Sequence, residues 1–411
     1  IKACRGWDPC STTCSDIIID YLMNIMLRLV ATASLCIVTA FAHGAMVSPL
    51  SRNAVDAAEV GCDAHTDSCS GKAKGNGCVN VTHPSEPCHN GQASFWYSQG
   101  CFIGCPTCDH LSGRRQTDLC GFGKKATLPD YARSVNKNAT RFSELDIYQH
   151  NPWSAPGSAP VADACGLAGG SPWAWNRAEA SNYVNTSHAS HGMNGSQLPE
   201  LPTGVQWKIG GDAEVSWQVR NNHGGGYSYR LCPASEPLTE ECFQKYPLDF
   251  VPEKASLLFK DGTRMPIKPV HVNEGTQPKG STWAMIPIAP TRLGPMCLAG
   301  PHDDPNAPHS CAAKNNPTTT CGCTPCPQTP GSDCSRCDNC DKPAFPPFIH
   351  DGRPVEGVSP VVGIVDVVKV PASLPRGRYV LGFRYDCEAT AQVWSNCADI
   401  ELVNSFADFH I

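Results

Sequence analysis

The feature that most limits the folds open to this chain is a strict alternation of apolar and polar residues. Residues 213–220 read AEVSWQVR, a period of two that predicts a strand with one buried and one solvated face. Strand-like patterns also span residues 363–370, 378–385 and 391–402, whereas no stretch shows a sustained helical repeat. With 36 Gly and 36 Pro to mark turns, the sequence predicts an antiparallel β-sandwich.

The segment before position 43 predicts export. An apolar run over residues 29–38 follows Arg28 and closes on Ala40 and Ala42, the form of a secretory signal peptide with an A-x-A cleavage site. We expect residues 1–22 to be upstream translation or a gene-model extension, and residues 23–42 to be a signal peptide. Cleavage after Ala42 would leave His43 with a free α-amino group. A membrane anchor over residues 17–42 is the alternative, but charged and polar residues interrupt that run.

Cysteine content agrees with a secreted, extracellular protein. The chain has 25 cysteines, and the four before position 43 leave 21 in the mature protein, a density typical of an oxidising compartment. The odd number predicts one unpaired thiol, an intermolecular link or a sequence error. Sequons beginning at Asn80, Asn138, Asn185 and Asn194 also fit secretion.

We expect one domain over residues 43–403, with cysteine-rich insertions at 62–120 and 297–340 and a short tail at 404–411. The CxxC pairs in the second insertion would suggest zinc in a cytosolic protein, but disulfides after a signal peptide. The net charge is −6 and basic runs are absent, which argues against a nucleic-acid partner. The sequence favours a monomer without stable membrane association.

Two places in the sequence suggest metal chemistry. A terminal His43 would offer a metal both its amine and its imidazole, so the chain should hold a third nitrogen elsewhere. His223 is a candidate, because it follows the 213–220 strand and precedes three glycines that allow a tight turn or a close backbone approach. The alternative is a surface histidine beside a flexible turn. On the last strand, Gln392 and Trp394 are two residues apart and share a face.

Three separated elements together resemble the copper-dependent lytic polysaccharide monooxygenases, of the chitin-, cellulose- or starch-active type with a chitin-binding type-4-like domain. They are HGAM at 43–46 followed by PLSR at 49–52, the NHG segment at 222–224 followed by Tyr227 and Leu231-Cys232, and AQVWSNCADI at 391–400. The resemblance implies an immunoglobulin/fibronectin-III-like β-sandwich with long disulfide-rich loop insertions.

The resemblance also implies a site and an activity. The His43 amine and Nδ1, with the His223 imidazole, would bind one copper ion, a metal suited to such nitrogen ligands. Because the amine must lose its proton to bind, copper affinity should fall as pH drops below about 8. Gln392 would orient the oxidant, and Trp394 stands where the family usually has an axial tyrosine. Oxidative cleavage of a polysaccharide would need oxygen or hydrogen peroxide and an external electron donor.

Other interpretations remain open beside this one. Trp394 lacks a hydroxyl, so it is either an apolar cap over the metal or a core residue, and the chain is alternatively a non-catalytic copper-binding protein or a glycan-binding module. Trp96 and Tyr97 are candidate stacking platforms for sugar rings. The interpretation that we favour is that they pack inside the lobe formed by the cysteines around them.

Overall fold

The computed structural model describes residues 43–55, 97–108, 119–120, 124–134, 140, 146, 148–170, 185–221, 224–259, 262–287, 349–350, 353–354, 361–388 and 390–405. These residues all belong to one compact unit, spanning 40–411. The predicted signal peptide, most of the 62–120 insertion, the 297–340 insertion and most of the tail lie outside them. Within the described ranges, no helix has the length and hydropathy needed to cross a membrane.

The described residues form seventeen short and long strands and very little helix. The strands are β1 His43–Ser48, β2 Ser98–Gly100, β3 Leu119–Cys120, β4 Lys124–Lys125, β5 Gln206–Lys208, β6 Asp212–Asn221, β7 Gly225–Pro233, β8 Tyr246–Pro247, β9 Ser256–Phe259, β10 Arg264–Pro266, β11 His271–Val272, β12 Trp283–Met285, β13 Ile349–His350, β14 Arg353–Pro354, β15 Val361–Lys369, β16 Gly377–Cys387 and β17 Gln392–Val403. The α-helix α1 covers Glu240–Gln244, and 3-10 turns cover Pro152–Ser154, Gly195–Gln197 and Pro252–Lys254.

Two sheets make the all-β sandwich that the sequence predicts. The smaller sheet has the order β1-β6-β15-β9-β10, and the larger has the order β11-β12-β7-β16-β17-β2. In the larger sheet β8 pairs with β7, and β5 pairs with β17 in the sole parallel pairing among the described strands. The four stretches predicted as strands correspond to β6, β15, β16 and β17, so these predictions are confirmed.

The core between the sheets is built from aromatic rings. Trp217 of β6 lies 4.6 Å from Tyr227, 5.1 Å from Phe383 and 5.6 Å from Tyr385, measured between ring centroids. All four side chains are completely buried. Each well-oriented aromatic pair adds about 0.5–1.5 kcal/mol beyond the area it buries, so the cluster fixes the distance between the sheets.

The outer face of β16 is also covered, in spite of the alternation in its sequence. Arg384 donates to Asp386 (Nε to Oδ1, 2.7 Å), to the Ala159 carbonyl (2.9 Å) and to Glu240 of α1 (2.8 Å). The Phe243 ring lies so close to Gly382 that a Cβ there would be 2.7 Å from it. The hydrogen bond to the neighbouring loop and the ion pair with helix α1 therefore bury the polar side of this strand.

Four disulfides connect described cysteines: Cys101–Cys108, Cys105–Cys120, Cys165–Cys397 and Cys232–Cys242. The third joins β17 to a residue 232 positions earlier in the chain. Among the described cysteines only Cys387 is free, and it is buried. An unpaired thiol was one of the outcomes that the odd cysteine count predicts.

Candidate functional site

Five strand ends around the predicted site lie at one end of the sandwich. His43 at the start of β1 pairs with Asn221 at the end of β6. Gly225 at the start of β7 pairs with Cys387 at the end of β16, and Asp386 beside it pairs with Val393 near the start of β17. Positions more than 300 residues apart in sequence are thus neighbours at this end.

The two predicted copper ligands are only partly within the described structure. The backbone of His43 lies in β1, but nothing is described of its side chain, and residues 222 and 223 lie outside the described ranges. The described flanks are Asn221, paired with His43, and Gly224, which begins the next segment. The register therefore brings the backbone of position 43 to the strand that leads into position 223.

Glycines adjoin both predicted ligands because neighbouring groups leave no room for a side chain. A Cβ on Gly44 would lie 2.6 Å from Cδ1 of Tyr385. Gly224 has φ +67° and Gly225 has φ +92°, values that favour glycine. A Cβ on Gly224 would also collide with the Glu388 carboxylate. The close backbone approach predicted for the glycine run is confirmed.

The carboxyl end of β16 holds the segment that follows position 223. The Tyr385 hydroxyl donates to the Gly224 carbonyl at 3.0 Å, and the Gly225 amide donates to Oε2 of Glu388 at 3.3 Å. The Glu388 carbonyl accepts from Nδ2 of Asn151 at 2.8 Å, which ties this end of the strand to the adjoining loop. Glu388 itself is buried.

Trp394 packs in the core between the sheets, and Gln392, two residues earlier on β17, lies on the same face of the strand. Trp394 is 1 % exposed and belongs to the main core, whereas Val393 and Cys397 pack on the opposite face of β17. Gln392 is buried, and its Oε1 accepts from the Thr390 hydroxyl at 2.9 Å. The burial of Trp394 agrees with the core-packing interpretation and also leaves its ring at the end where the site is predicted.

β17 is connected to β1 across the sandwich. Oδ1 of Asn396 accepts a hydrogen bond from the Met46 amide at 3.0 Å, and both residues are buried. His43 and Gln392 each precede this bond by three or four residues and lie at the same end of the sandwich. The bond fixes the strand that begins at position 43 against the strand that begins at Gln392.

The sequence did not single out Cys387, Tyr385 or Glu388, although all three lie at this end. Burial raises the pKa of the Cys387 thiol well above its usual range, in part offset by hydrogen bonds with Tyr385, Thr390 and Trp394. The thiol is therefore neutral at physiological pH. The available signal was the DCE sequence directly after the alternating strand, where polar and reactive residues replace apolar ones.

Tyr97 is withdrawn as a sugar-stacking residue. Its side chain is completely buried and packs with Ala168, Ala189 and Leu198, so it offers no ring face to a sugar. The side chain packs inward beside the edge of the larger sheet, because this residue lies directly before β2, which pairs with β17 there. Trp96, the other candidate, lies outside the described residues.

Among the described side chains, no cluster of three or more His, Cys, Asp or Glu residues is arranged to hold a metal ion. His43 and His223 remain the predicted ligands, because amine and imidazole nitrogens suit divalent copper. The glycines at 44 and 224, which let the backbone approach closely on both sides, fit such a site.

Comparisons with known proteins add only distant likenesses. No family model matches the sequence, and no curated protein matches it. Among solved structures, a chitin binding domain from Burkholderia pseudomallei is 12% identical with a TM-score of 0.29, and covers 88% of this chain and 100% of its own. A cellulose-active lytic polysaccharide monooxygenase, CelS2, in complex with copper, is 10% identical with a TM-score of 0.26 and the same coverages. Scores below 0.5 do not establish a shared fold.

Proposed function

We propose that this chain is a secreted, copper-dependent monooxygenase that cleaves the glycosidic bonds of a polysaccharide oxidatively, with oxygen or hydrogen peroxide and an external electron donor. The observation that carries the proposal is the pairing of His43 with Asn221, two residues before His223. Gln392 begins β17 at the same end, so His43, Gln392 and the described residues that flank position 223 support a common site there. A polysaccharide fits a chain of net charge −6 without basic runs.

The roles of the residues follow from their chemistry. His43, through its amine and imidazole, and His223 would hold copper, which when bound supplies the redox chemistry for hydrogen abstraction from a glycosidic carbon. Thr390 fixes the Gln392 amide through Oε1, so Nε2 is the donor left to orient the oxidant. The buried Trp394 ring provides an apolar wall that excludes water.

A second function is favoured by one observation. Trp394 is almost completely buried and has no oxygen to offer a metal. The chain would then be a copper-binding protein of the same fold that performs no cleavage. A glycan-binding module without copper is the third possibility, and it requires neither histidine.

The decisive experiment compares protein processed to begin at His43 with protein that retains Ala42. Copper is titrated into both by calorimetry, and the complexes are examined by electron paramagnetic resonance. We expect one copper ion per chain with a nitrogen-rich spectrum in the processed protein. The extended protein should bind far more weakly, because an amide nitrogen replaces the amine.

The outcomes separate the three functions. Equal binding or no binding in both proteins would overturn the copper site and leave the glycan-binding module. If copper binds as expected, the loaded protein is incubated with chitin, cellulose or starch, a reductant and peroxide. Oxidised oligosaccharides detected by mass spectrometry support the monooxygenase, and their absence on every glycan favours the non-catalytic copper protein.

A further inference from the structure

Tyr385 contacts the residues that follow both predicted copper ligands. Its side chain is completely buried, three positions before Glu388 on β16. Its ring fills the space where Gly44 would carry a side chain, with Cδ1 2.6 Å from the ideal Cβ position. Its hydroxyl donates to the Gly224 carbonyl at 3.0 Å. One side chain thus joins the β1 backbone after His43 to the backbone after His223.

The Tyr385 hydroxyl has a role beyond filling space in the core. Phe383, two residues earlier on the same face of β16, is also completely buried and packs on the same Trp217 ring without any polar group. The core therefore accepts a phenyl ring on this face. The hydroxyl of Tyr385 has a separate partner, a backbone carbonyl in the segment that leads out of position 223.

Glu388 holds the same segment from its other side. Its carboxylate lies against the α-carbon of Gly224 and accepts from the Gly225 amide at 3.3 Å. The left-handed conformations of both glycines allow these contacts. With Glu388 in place, the Tyr385 bond determines where the carbonyl of Gly224 points.

We propose that Tyr385 is a positioning residue of the metal site, which sets the separation of the two ligand-bearing backbones through its ring on Gly44 and its hydroxyl on Gly224. This role rests on the proposed copper function. It differs from a ligand role because the hydroxyl is hydrogen-bonded to the Gly224 carbonyl and to the Cys387 thiol. Groups that orient metal ligands from outside commonly change metal affinity by about 10–100-fold when removed.

The test uses Tyr385→Phe in protein processed to begin at His43. The ring stays and only the hydroxyl is lost, so the fold should survive. We expect copper affinity, measured by calorimetry, to fall about tenfold, with altered copper hyperfine splitting in the electron paramagnetic resonance spectrum. Gly44→Ala, which pushes the ring from the other side, should change the same two measurements while leaving the hydroxyl intact.

Tyr379→Phe is the matched control. Tyr379 lies on the same strand at the far end, is 3% exposed, and donates to the Pro375 carbonyl at 3.1 Å. Loss of the Tyr379 hydroxyl should lower the unfolding midpoint about as much as Tyr385→Phe does. It should not change copper affinity or the spectrum. An equal effect of both Phe variants on copper, or no effect of Tyr385→Phe, would overturn the positioning role. Absence of copper binding in the wild-type protein would overturn the proposed function and this role with it.

Discussion

A single residue, Asp366, makes the stability of this fold depend on pH, because its carboxyl group lies inside the core. It lies on β15, is 1% exposed, and accepts a hydrogen bond from the Tyr229 hydroxyl at 3.2 Å. Burial raises the pKa of this carboxyl to about 7, although hydrogen bonds from Tyr227 and Tyr229 lower it in part. The protonated acid is therefore the form that the core accommodates.

This pKa predicts that the protein loses stability as pH rises from about 4 to about 7. Within that window the folded state keeps a proton that the unfolded state, with a pKa near 3.9, has released, and the loss amounts to roughly 4 kcal/mol. Asp366→Asn cannot ionise and should remove this slope. Urea unfolding at pH 5, 6, 7 and 8 measures the slope. If the free energy of unfolding changed with pH in parallel for the two proteins, the prediction would be contradicted.

At the scale of single residues, the sequence predicted the features that depend on local pattern but not those that depend on tertiary contacts. The shared face of Gln392 and Trp394 was predictable because the period of a strand is local information. The role of Tyr385 was not, because its contacts with Gly44 and Gly224 depend on which strands become neighbours. The burial of Tyr97 likewise follows from the pairing of β2 with β17, which lies far from it in sequence.

At the scale of elements, β6, β15, β16 and β17 could be predicted, whereas β7 could not. The glycines before Tyr227 indicated a loop or a close approach, but Gly225 and Gly226 lie within β7 itself. The reason lies in the tertiary contacts of these glycines. A Cβ on Gly226 would meet the Trp153 ring at 2.5 Å, and one on Gly225 would meet the backbone of β16. The local pattern cannot show which segment will approach.

Helix α1 is coupled to β16 by a carboxylate whose side chain is 14% exposed. Glu240 accepts from Arg230 and from Arg384 (Nη1 to Oε1, 2.8 Å), and both arginines are buried. Although burial alone would raise the pKa of Glu240, the charges of these arginines lower it to about 2. The carboxylate thus contributes stability above pH 4.5 that is lost as pH falls toward 2.

Glu240→Gln should therefore destabilise the protein strongly, since it removes the anion paired with the buried Arg230 and leaves the buried Arg384 with Asp386 alone. Removing one member of a buried ion pair costs about 3–5 kcal/mol. The control is Glu236→Gln, which breaks the exposed pair with Lys245 and should cost about 0–1 kcal/mol. Both are measured as free energies of unfolding at pH 7, and a similar small loss for the two variants would show that the network does not stabilise the fold.

At the scale of the whole molecule, two disulfides share one apolar cluster but close very different loops. Cys165–Cys397 spans 232 positions and Cys232–Cys242 spans 10, and all four residues pack with Phe243 and Val380. The shared environment makes the cost of the cavity similar when either pair is replaced by alanine. The difference between them then reports on loop closure in the unfolded chain.

Replacing Cys165 and Cys397 by Ala should lower stability by roughly 3 kcal/mol more than replacing Cys232 and Cys242, because the entropy that a cross-link removes from the unfolded chain rises with the logarithm of loop length. Urea unfolding of the two double variants measures the difference. Equal losses would indicate that other cross-links already restrict the unfolded chain between positions 165 and 397.

The order of strands in the larger sheet also decides when this protein can fold. β16 and β17 occupy the middle of that sheet, yet they come last in the chain among the described strands. While the chain emerges from the ribosome, β7 has no partner on one side until residues 377–387 are made, and β2 waits for residues 392–394. Folding is therefore expected to follow synthesis rather than accompany it, and the nascent chain must keep its unpaired strand edges from aggregating.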